Sequence, residues 1–453
     1  MASPWTRQSL KRKSMPSNRN SSPFTPRQSL NNSSFLGDSF SRAQPKVPLN
    51  SQLLEETDQH RVETYGFPLP VQISEVLTNK SGDHHISAKI DPSGWAWLVI
   101  GRKLFIWRYV PSATSKGVFC KELMLPASEM HHSADLICVL SSGGDSGSNV
   151  SFVSIMAASP EGLVRYWPSL IHDSAVVDME TDLMASQCHS LTAFPPHSCV
   201  LVTTNNELLL LSGSQKEIKC HNLNSSNSVF SDFGRRVSSF IFGSQPVSNK
   251  DANWQRVLIS NVKADNSRIG LSHLFVIKPE LHFQLQLESL FQEATVCALQ
   301  VDPNAVTSCT VWCIDVALCS SDIIILAAVS LGGVHSTQLL YSLGTLKTDT
   351  ESMPSQLENF NILQYSAAYN ESREQELLSF KLLLPPQNSS AFVYGSNLVI
   401  CAPVNQADEV LNKIDLLSPG NSILGSGFHG NKPLFFSMKY GIITVTVTEA
   451  VVR

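Results

Sequence analysis

The sequence predicts an all-β fold, a β-propeller, and three observations carry that reading. Apolar residues fall in short bursts of strand length rather than at helical spacing. The bursts come in pairs joined by a tight polar turn, the second strand carrying an aromatic residue: WAWLVI, GRK, LFIW at 95–107, and VSIMAA, SPEG, LVRYW at 153–167. This strand-turn-aromatic unit recurs along the whole body, and radial repetition of such sheets protects their edges from stray pairing.

Taken in order, 87–91 alternates, 91–94 (DPSG) turns, 95–100 is a buried strand and 104–110 returns as a third. The same cadence follows at 134–140, 150–158 and 163–167. Later copies are more diverged: 199–203 turns at TNN into 208–211, 391–394 turns at GSN into 398–402, and 434–437 turns into 442–447. Further strand pairs are expected at 255–277, 296–318 and 323–343. Sheets spaced at roughly forty to sixty residues fit propeller blades. A pair of β-sandwiches is the alternative, and it gives no reason for the unit to recur so widely.

Composition divides the chain in two. Of its 453 residues, 42% are hydrophobic and 16% charged, enough to build a buried core. Residues 1–50 hold eight Lys or Arg against the single acid Asp38, a balance of +7 that leaves −12 for the rest of a chain whose net charge is −5. Residues 1–62 therefore read as a disordered basic tail rich in Ser and Pro, and 63–453 as the propeller. Ser22 and Thr25, each followed by Pro, are candidate phosphorylation sites where phosphate would cancel local positive charge. A basic tail could also brush nucleic acid or serve as a nuclear address; a solvated linker explains it equally well.

The ten cysteines are scattered with no CxxC, which predicts free thiols in a reducing compartment. No apolar run opens the chain as a secretory signal, and the longest, around 323–334, is too short and Gly-broken to span a bilayer. Any membrane contact is expected to be peripheral.

One stretch breaks the β pattern. In 229–243, VFSDFGRRVSSFIFG, the residues Val229, Phe230, Phe233, Val237, Phe240 and Ile241 share one face of a helix wound at about 100° per residue. Ser231, Arg235, Ser238 and Ser239 share the other, and Phe242 is out of place. The polar face is poor in charge, with Asp232, Arg235 and Arg236, so attraction to a lipid surface rests on the bulky apolar side, as in curvature-sensitive anchors. Gly234 and the serines lower helix propensity, so the segment is expected to fold on a surface. Packing of that face against its own domain is the competing explanation.

Catalytic motifs do not assemble. Residues 425–430, GSGFHG, match GxGxxG but lead into Lys432-Pro433 and a strand rather than a helix, so a Gly-rich propeller turn is expected in place of a nucleotide site. Asp83-His84-His85 and His131-His132 resemble fragments of metal sites, yet neither has further ligands at a fixed interval, and loop-edge histidines are expected. No GxSxG and no Cys with a motif partner supplies a nucleophile. The carboxylates Glu55, Glu56 and Asp182 lie in solvated polar stretches. Phe233-Gly234 and Phe242-Gly243 are too few for a transport-factor docking segment.

CKEL with LP at 120–126, HSADL at 132–136, RYWPSL at 165–170 and GRRVSS at 234–239 occur together and in order. They resemble the N-terminal region of vertebrate members of the nucleoporin 133 family over nearly the whole chain from about Tyr65. That resemblance implies a seven-bladed propeller at one end of a Y-shaped scaffold complex of the nuclear pore. It also implies that the loop at about 224–244 is an amphipathic lipid-packing sensor contacting curved nuclear envelope. The membrane-binding residues would then be Val229, Phe230, Phe233, Arg235, Arg236, Val237, Phe240 and Ile241, with no catalytic, metal or cofactor residues. The family's other half, a helical solenoid, joins the rest of the Y-complex through nucleoporin 107. With the chain ending at Arg453, a fragment, short isoform or isolated domain is expected, and its scaffold incorporation is open. The implied role is structural support of pore assembly and of mRNA and protein transport, with a kinetochore location in mitosis. The alternative is a protein-docking propeller whose loop packs internally or on a partner; a propeller enzyme would need polar ligands converging at the central channel.

Overall fold

The structure, a computed structural model, describes residues 51–447 except 80–84, 111–118, 142–152, 172–175, 184–185, 195–196, 206, 224–255, 266–267, 278–280, 303, 305, 307, 320–321, 333–337, 348–355, 387–389, 405–411 and 416–419. The described residues all belong to one compact unit, Pro48–Arg453.

Among those residues the strands form seven antiparallel sheets, taken here as blades. Blade 1 comprises Ile86–Ile90, Trp95–Ile100, Lys103–Arg108 and Cys120–Met124. Blade 2 is Ile137–Ser141, Val153–Ala158, Leu163–Trp167 and Val177–Glu180; blade 3 is Cys188–Phe194, Ser198–Thr203, Leu208–Gly213 and Ile218–Asn222. Blade 4 is the hairpin Arg256–Asp265 and Arg268–Ile277. Blade 5 comprises Ser308–Cys319, Asp322–Gly332, Gln338–Leu346 and Asn359–Ala368, and blade 6 Lys381–Leu383, Ser390–Tyr394, Leu398–Pro403 and Asn412–Asp415. Blade 7 joins the two ends of the described chain: Ile423–His429, Lys432–Ser437 and Gly441–Val447 continue into His60–Thr64 and then Leu53–Glu56. The first strand of each of blades 1 to 6, with Ile423–His429 of blade 7, lies innermost; inner strands touch from blade 2 through blade 6 and between blades 7 and 1, and the inner strand of blade 1 meets the turn Ala134–Leu136 that leads into blade 2. Radial packing of this kind excludes the pair of sandwiches.

Strands in the middle of a blade read as unbroken apolar runs because both of their faces are buried. Trp97 and Val99 pack toward blade 2 with Ile155 and Trp167, whereas Ala96 and Leu98 pack toward blade 7 with Phe436 and Ile442. Alternation survives, but each face meets another sheet instead of water.

The ring closes where blade 7 meets blade 1, and two glycines allow it. A Cβ on Gly425 would stand 1.7 Å from the carbonyl oxygen of Ala88, and one on Gly427 would stand 1.9 Å from that of Ile90. Backbone therefore lies on backbone at the seam, which only glycine permits. These two residues belong to GSGFHG. Contrary to the expected turn, the motif is mostly strand, and only Gly430 at its end turns, with φ +58°.

Residues 53–62, placed in the tail by composition, instead form the outer strands of blade 7. Val62 is a buried member of its core, while His60, Arg61 and Val62 register with Val447, Thr446 and Val445. Their pairing partner is supplied by the far end of the chain, so no local pattern reveals it.

The expected strand pair at 296–318 is also corrected. A helix, Leu281–Leu299, precedes the strand Ser308–Cys319. Its buried residues Leu287, Leu290 and Phe291 fall at helical spacing and pack on Val311, Ile323, Ile325, Ala327 and Val329. Blade 5 thus buries one face on blade 6, through Ile324, Leu326 and Ala328, and the other on this helix. Phe291 stacks edge-on to Phe360 at 5.9 Å, and its ring occupies the space a side chain at Gly344 would need. A second, shorter helix, Val71–Thr78, seals the 7–1 seam with Ile73 and Leu77. Among the described residues no helix is long and apolar enough to cross a membrane.

Candidate functional site

The residues singled out for membrane contact, Val229, Phe230, Phe233, Arg235, Arg236, Val237, Phe240 and Ile241, lie outside the described residues, as do Ser22 and Thr25. What the structure gives is the position of their anchors. Segment 224–255 leaves after Ile218–Asn222, the outermost strand of blade 3, and returns as Arg256–Asp265, the first strand of blade 4. In an antiparallel blade the fourth strand ends on the face where the next blade's first strand begins, so both anchors open on one face of the ring. Leu223 is held there by its N–H to the Leu208 carbonyl at 2.8 Å and by packing on Val200, Val202 and Leu208.

Within the described residues the polar chemistry gathers on the innermost strands. Ser133 precedes a single 3-10 turn, Ala134–Leu136, and its hydroxyl accepts the Asp135 N–H at 3.2 Å, setting the carboxylate of Asp135 at the approach to blade 2. Lys381, first residue of blade 6, donates to Asp135 Oδ2 at 2.9 Å, while Lys89 of blade 1 stands 3.8 Å from Oδ1. Asp315 of blade 5 accepts the N–H of Leu382 in blade 6 at 2.8 Å through one oxygen and the N–H of Val316 through the other. A register shift between Cys313 and Asp315 sets the aim of this carboxylate.

The electrostatics follow from that arrangement. The Asp135 carboxylate, ahead of the opposing effect of burial, holds the Lys381 ammonium well above the ordinary lysine range. Burial pushes the His189 imidazole on blade 3 down, helped by Lys381 and opposed by Asp135 and Asp315. Two ammonium groups and two carboxylates cancel, and each carboxylate is engaged by a neighbouring blade. Such a cluster positions blades; it holds no activated nucleophile beside a base. Among the described residues no three or more His, Cys, Asp or Glu side chains could hold a metal ion. All ten cysteines are free thiols, and burial raises Cys188 and Cys313 to about 12.

Sequence reasoning missed this cluster. Its signal is a lone charge inside an apolar strand, ISAKI for Lys89 and CIDVAL for Asp315. A second tie between blades is made by Arg165 of RYWPSL. Its guanidinium forks onto Asp178 at 2.7 and 2.6 Å and reaches the Met124 carbonyl in blade 1 at 2.9 Å.

The seven antiparallel sheets formed by the described residues, arranged around a ring, define a β-propeller. The family described as Nup133 N terminal like matches residues 57–416 of this chain. The chain belongs to this nucleoporin family, a family of nuclear pore complex scaffold proteins and not of enzymes. Nuclear pore complex protein Nup133 of Mus musculus is 30% identical over 91% of the chain, and that of Danio rerio 28% identical over 88%. In both cases the chain spans only 36% of the relative's length. The crystal structure of the Vanderwaltozyma polyspora Nup133 β-propeller domain superposes with a TM-score of 0.56 at 14% identity, covering 88% of this chain and all of that one. That likeness bears on the fold.

Proposed function

We propose that this chain is the propeller module of a nuclear pore scaffold and that segment 224–244 is its contact with curved nuclear envelope. The observation that carries the membrane contact is the apolar face of Val229, Phe230, Phe233, Val237, Phe240 and Ile241 within the connection between blades 3 and 4. A connection anchored at both ends on one face can leave the ring without disturbing a blade. Insertion of the phenylalanines contributes about 1–3 kcal/mol each when fully buried, and ordering the helix offsets a good part of that. Arg235 and Arg236 add a small, salt-screened attraction to phosphates.

In this role the chain serves pore assembly and, through it, mRNA export and protein import, with other pore nucleoporins as partners. Phe233→Asp combined with Val237→Asp tests the membrane contact. The double variant keeps the thermal stability of the native chain and loses cosedimentation with small neutral vesicles. Cosedimentation that persists in the folded variant contradicts the proposal.

A further inference from the structure

Blade 4 is smaller than its neighbours. Among the described residues it is the hairpin Arg256–Asp265 and Arg268–Ile277 alone, where every other sheet has four strands or five. Its first strand is innermost and touches the first strands of blades 3 and 5, whereas Arg268–Ile277, among the described residues, pairs only with its own hairpin partner. Successive residues of an antiparallel strand turn their N–H and C=O groups alternately toward and away from the partner. Half of the backbone groups of Arg268–Ile277 therefore face outward without a ladder.

The composition of that edge is the composition of a covered strand. Outermost strands elsewhere in the ring are short and polar: CKELM in blade 1, VDME in blade 2, IKCHN in blade 3 and NKID in blade 6. Arg268–Ile277, RIGLSHLFVI, is ten residues long and reads like WAWLVI and VSIMAA, which lie inside their blades with a paired strand on each side. A long apolar edge of this kind is a template for one more strand.

We propose that this edge is the docking site of the chain's own residues 238–242, SSFIF, added as a third strand of blade 4, and that curved membrane competes with the edge for them. The competition rests on the membrane contact proposed above; the docking does not. Of the stretches outside the described residues, 224–255 alone holds three consecutive large apolar residues, Phe240, Ile241 and Phe242. It also ends at the first residue of the same hairpin. The thirteen residues 243–255 reach about 40 Å when extended, and a third strand lies only about 10 Å from the first. Phe242, out of place on the helix, falls in a strand on the same face as Phe240. Extended strand and amphipathic helix are then two states of one stretch, and a surface that binds the helix shifts the population toward it.

Hydrogen–deuterium exchange of the full chain without vesicles, read on peptides covering 268–277, tests the docking. Phe242→Asp, which spares the helical face, and deletion of residues 228–243 each speed exchange of the outward-facing amides by about tenfold or more, because those amides lose their acceptors. Native melting of Phe242→Asp shows that the variant folds. Phe233→Asp, outside the docked run, exchanges at the native rate. With small neutral vesicles present the native chain takes on the rate of Phe242→Asp, and that variant floats at least as well as the native chain. Equal exchange in the native chain and in both variants overturns the docking. Protection that survives the deletion and fades on dilution overturns it too, by assigning the edge to a second copy of the chain. Segment-dependent protection with no flotation at any diameter upholds the docking and overturns the membrane contact, and the competition with it.

Discussion

Lys381 Nζ lies 2.9 Å from Asp135 Oδ2, joining the first strand of blade 6 to the turn that leads into blade 2 across 246 positions of sequence. The lysine side chain is 53% exposed and the aspartate 41%, so water screens the pair and its worth is that of a surface ion pair, about 0.5–1 kcal/mol. Lys381→Met and Asp135→Asn should each lower unfolding free energy by about that amount in low salt and by almost nothing in 1 M NaCl, where screening acts within about 3 Å. Because the folded lysine pKa is raised, this stability is complete below the ordinary lysine pKa and fades as pH rises through the folded value. Urea titrations across salt and alkaline pH read the effect; a salt-independent loss contradicts it.

Closure of the ring at Gly425 and Gly427 makes a larger prediction. A methyl group at either position meets a carbonyl oxygen of blade 1 that belongs to a paired strand and has nowhere to go. Gly425→Ala or Gly427→Ala should cost more than about 4 kcal/mol or abolish folding. Gly430→Ala, with nothing within 4 Å of the new methyl, should cost only the left-handed strain, about 1 kcal/mol. Equal costs at the three positions would refute the close-approach argument.

Acid should loosen the ties between blades 1 and 2. Burial pushes the Glu161 carboxyl upward, but hydrogen bonds from its own backbone, Ser128, Met130 and Ser159 outweigh it and leave the pKa below the ordinary value. The hydrogen bond from Arg165 lowers that of Asp178. Their contribution is complete above the ordinary carboxylate range near pH 4 and disappears as pH falls through the depressed values. Glu161→Gln and Asp178→Asn should flatten the fall in melting temperature below pH 4. Acid sensitivity identical to the native chain would count against these ties.

The helix Leu281–Leu299 is a wedge on blade 5, so its anchor matters. Phe291 is fully buried against Phe360 and Leu357, and Phe291→Ala should cost about 3–5 kcal/mol, the transfer of a large ring plus the cavity left behind. Gln292→Ala, one position along and exposed, should fall within about 0.5 kcal/mol of native. Similar costs for the two would mean that the helix does not serve as core.

Where a strand and its partner are neighbours in sequence, the fold is legible. The predicted strand 95–100 and its aromatic partner are those observed, as are 163–167 and most of 390–403. Legibility fails where the partner is remote. His60–Thr64 looks polar and unstructured until Gly441–Val447 completes its ladder. The helix Leu281–Leu299 was hidden because Leu281, Phe283, Leu285 and Leu287 alternate like a strand before Leu290 and Phe291 restore helical spacing. The members of the inner cluster stand apart in sequence, Lys89, His189, Asp315 and Lys381 each in a different strand and Asp135 in the turn before blade 2. Only the ring brings Lys89, Asp135, His189, Asp315 and Lys381 into one field.

The central claim, curvature-dependent membrane contact through 224–244, is tested most directly by flotation with neutral vesicles of graded diameter, comparing the native chain with one lacking residues 228–243. The account predicts binding that is strong on small vesicles, fades as diameter grows and vanishes in a deletion that keeps native melting. Absence of binding at every diameter, with a deletion that no longer folds, would contradict it and assign the phenylalanines to the propeller core.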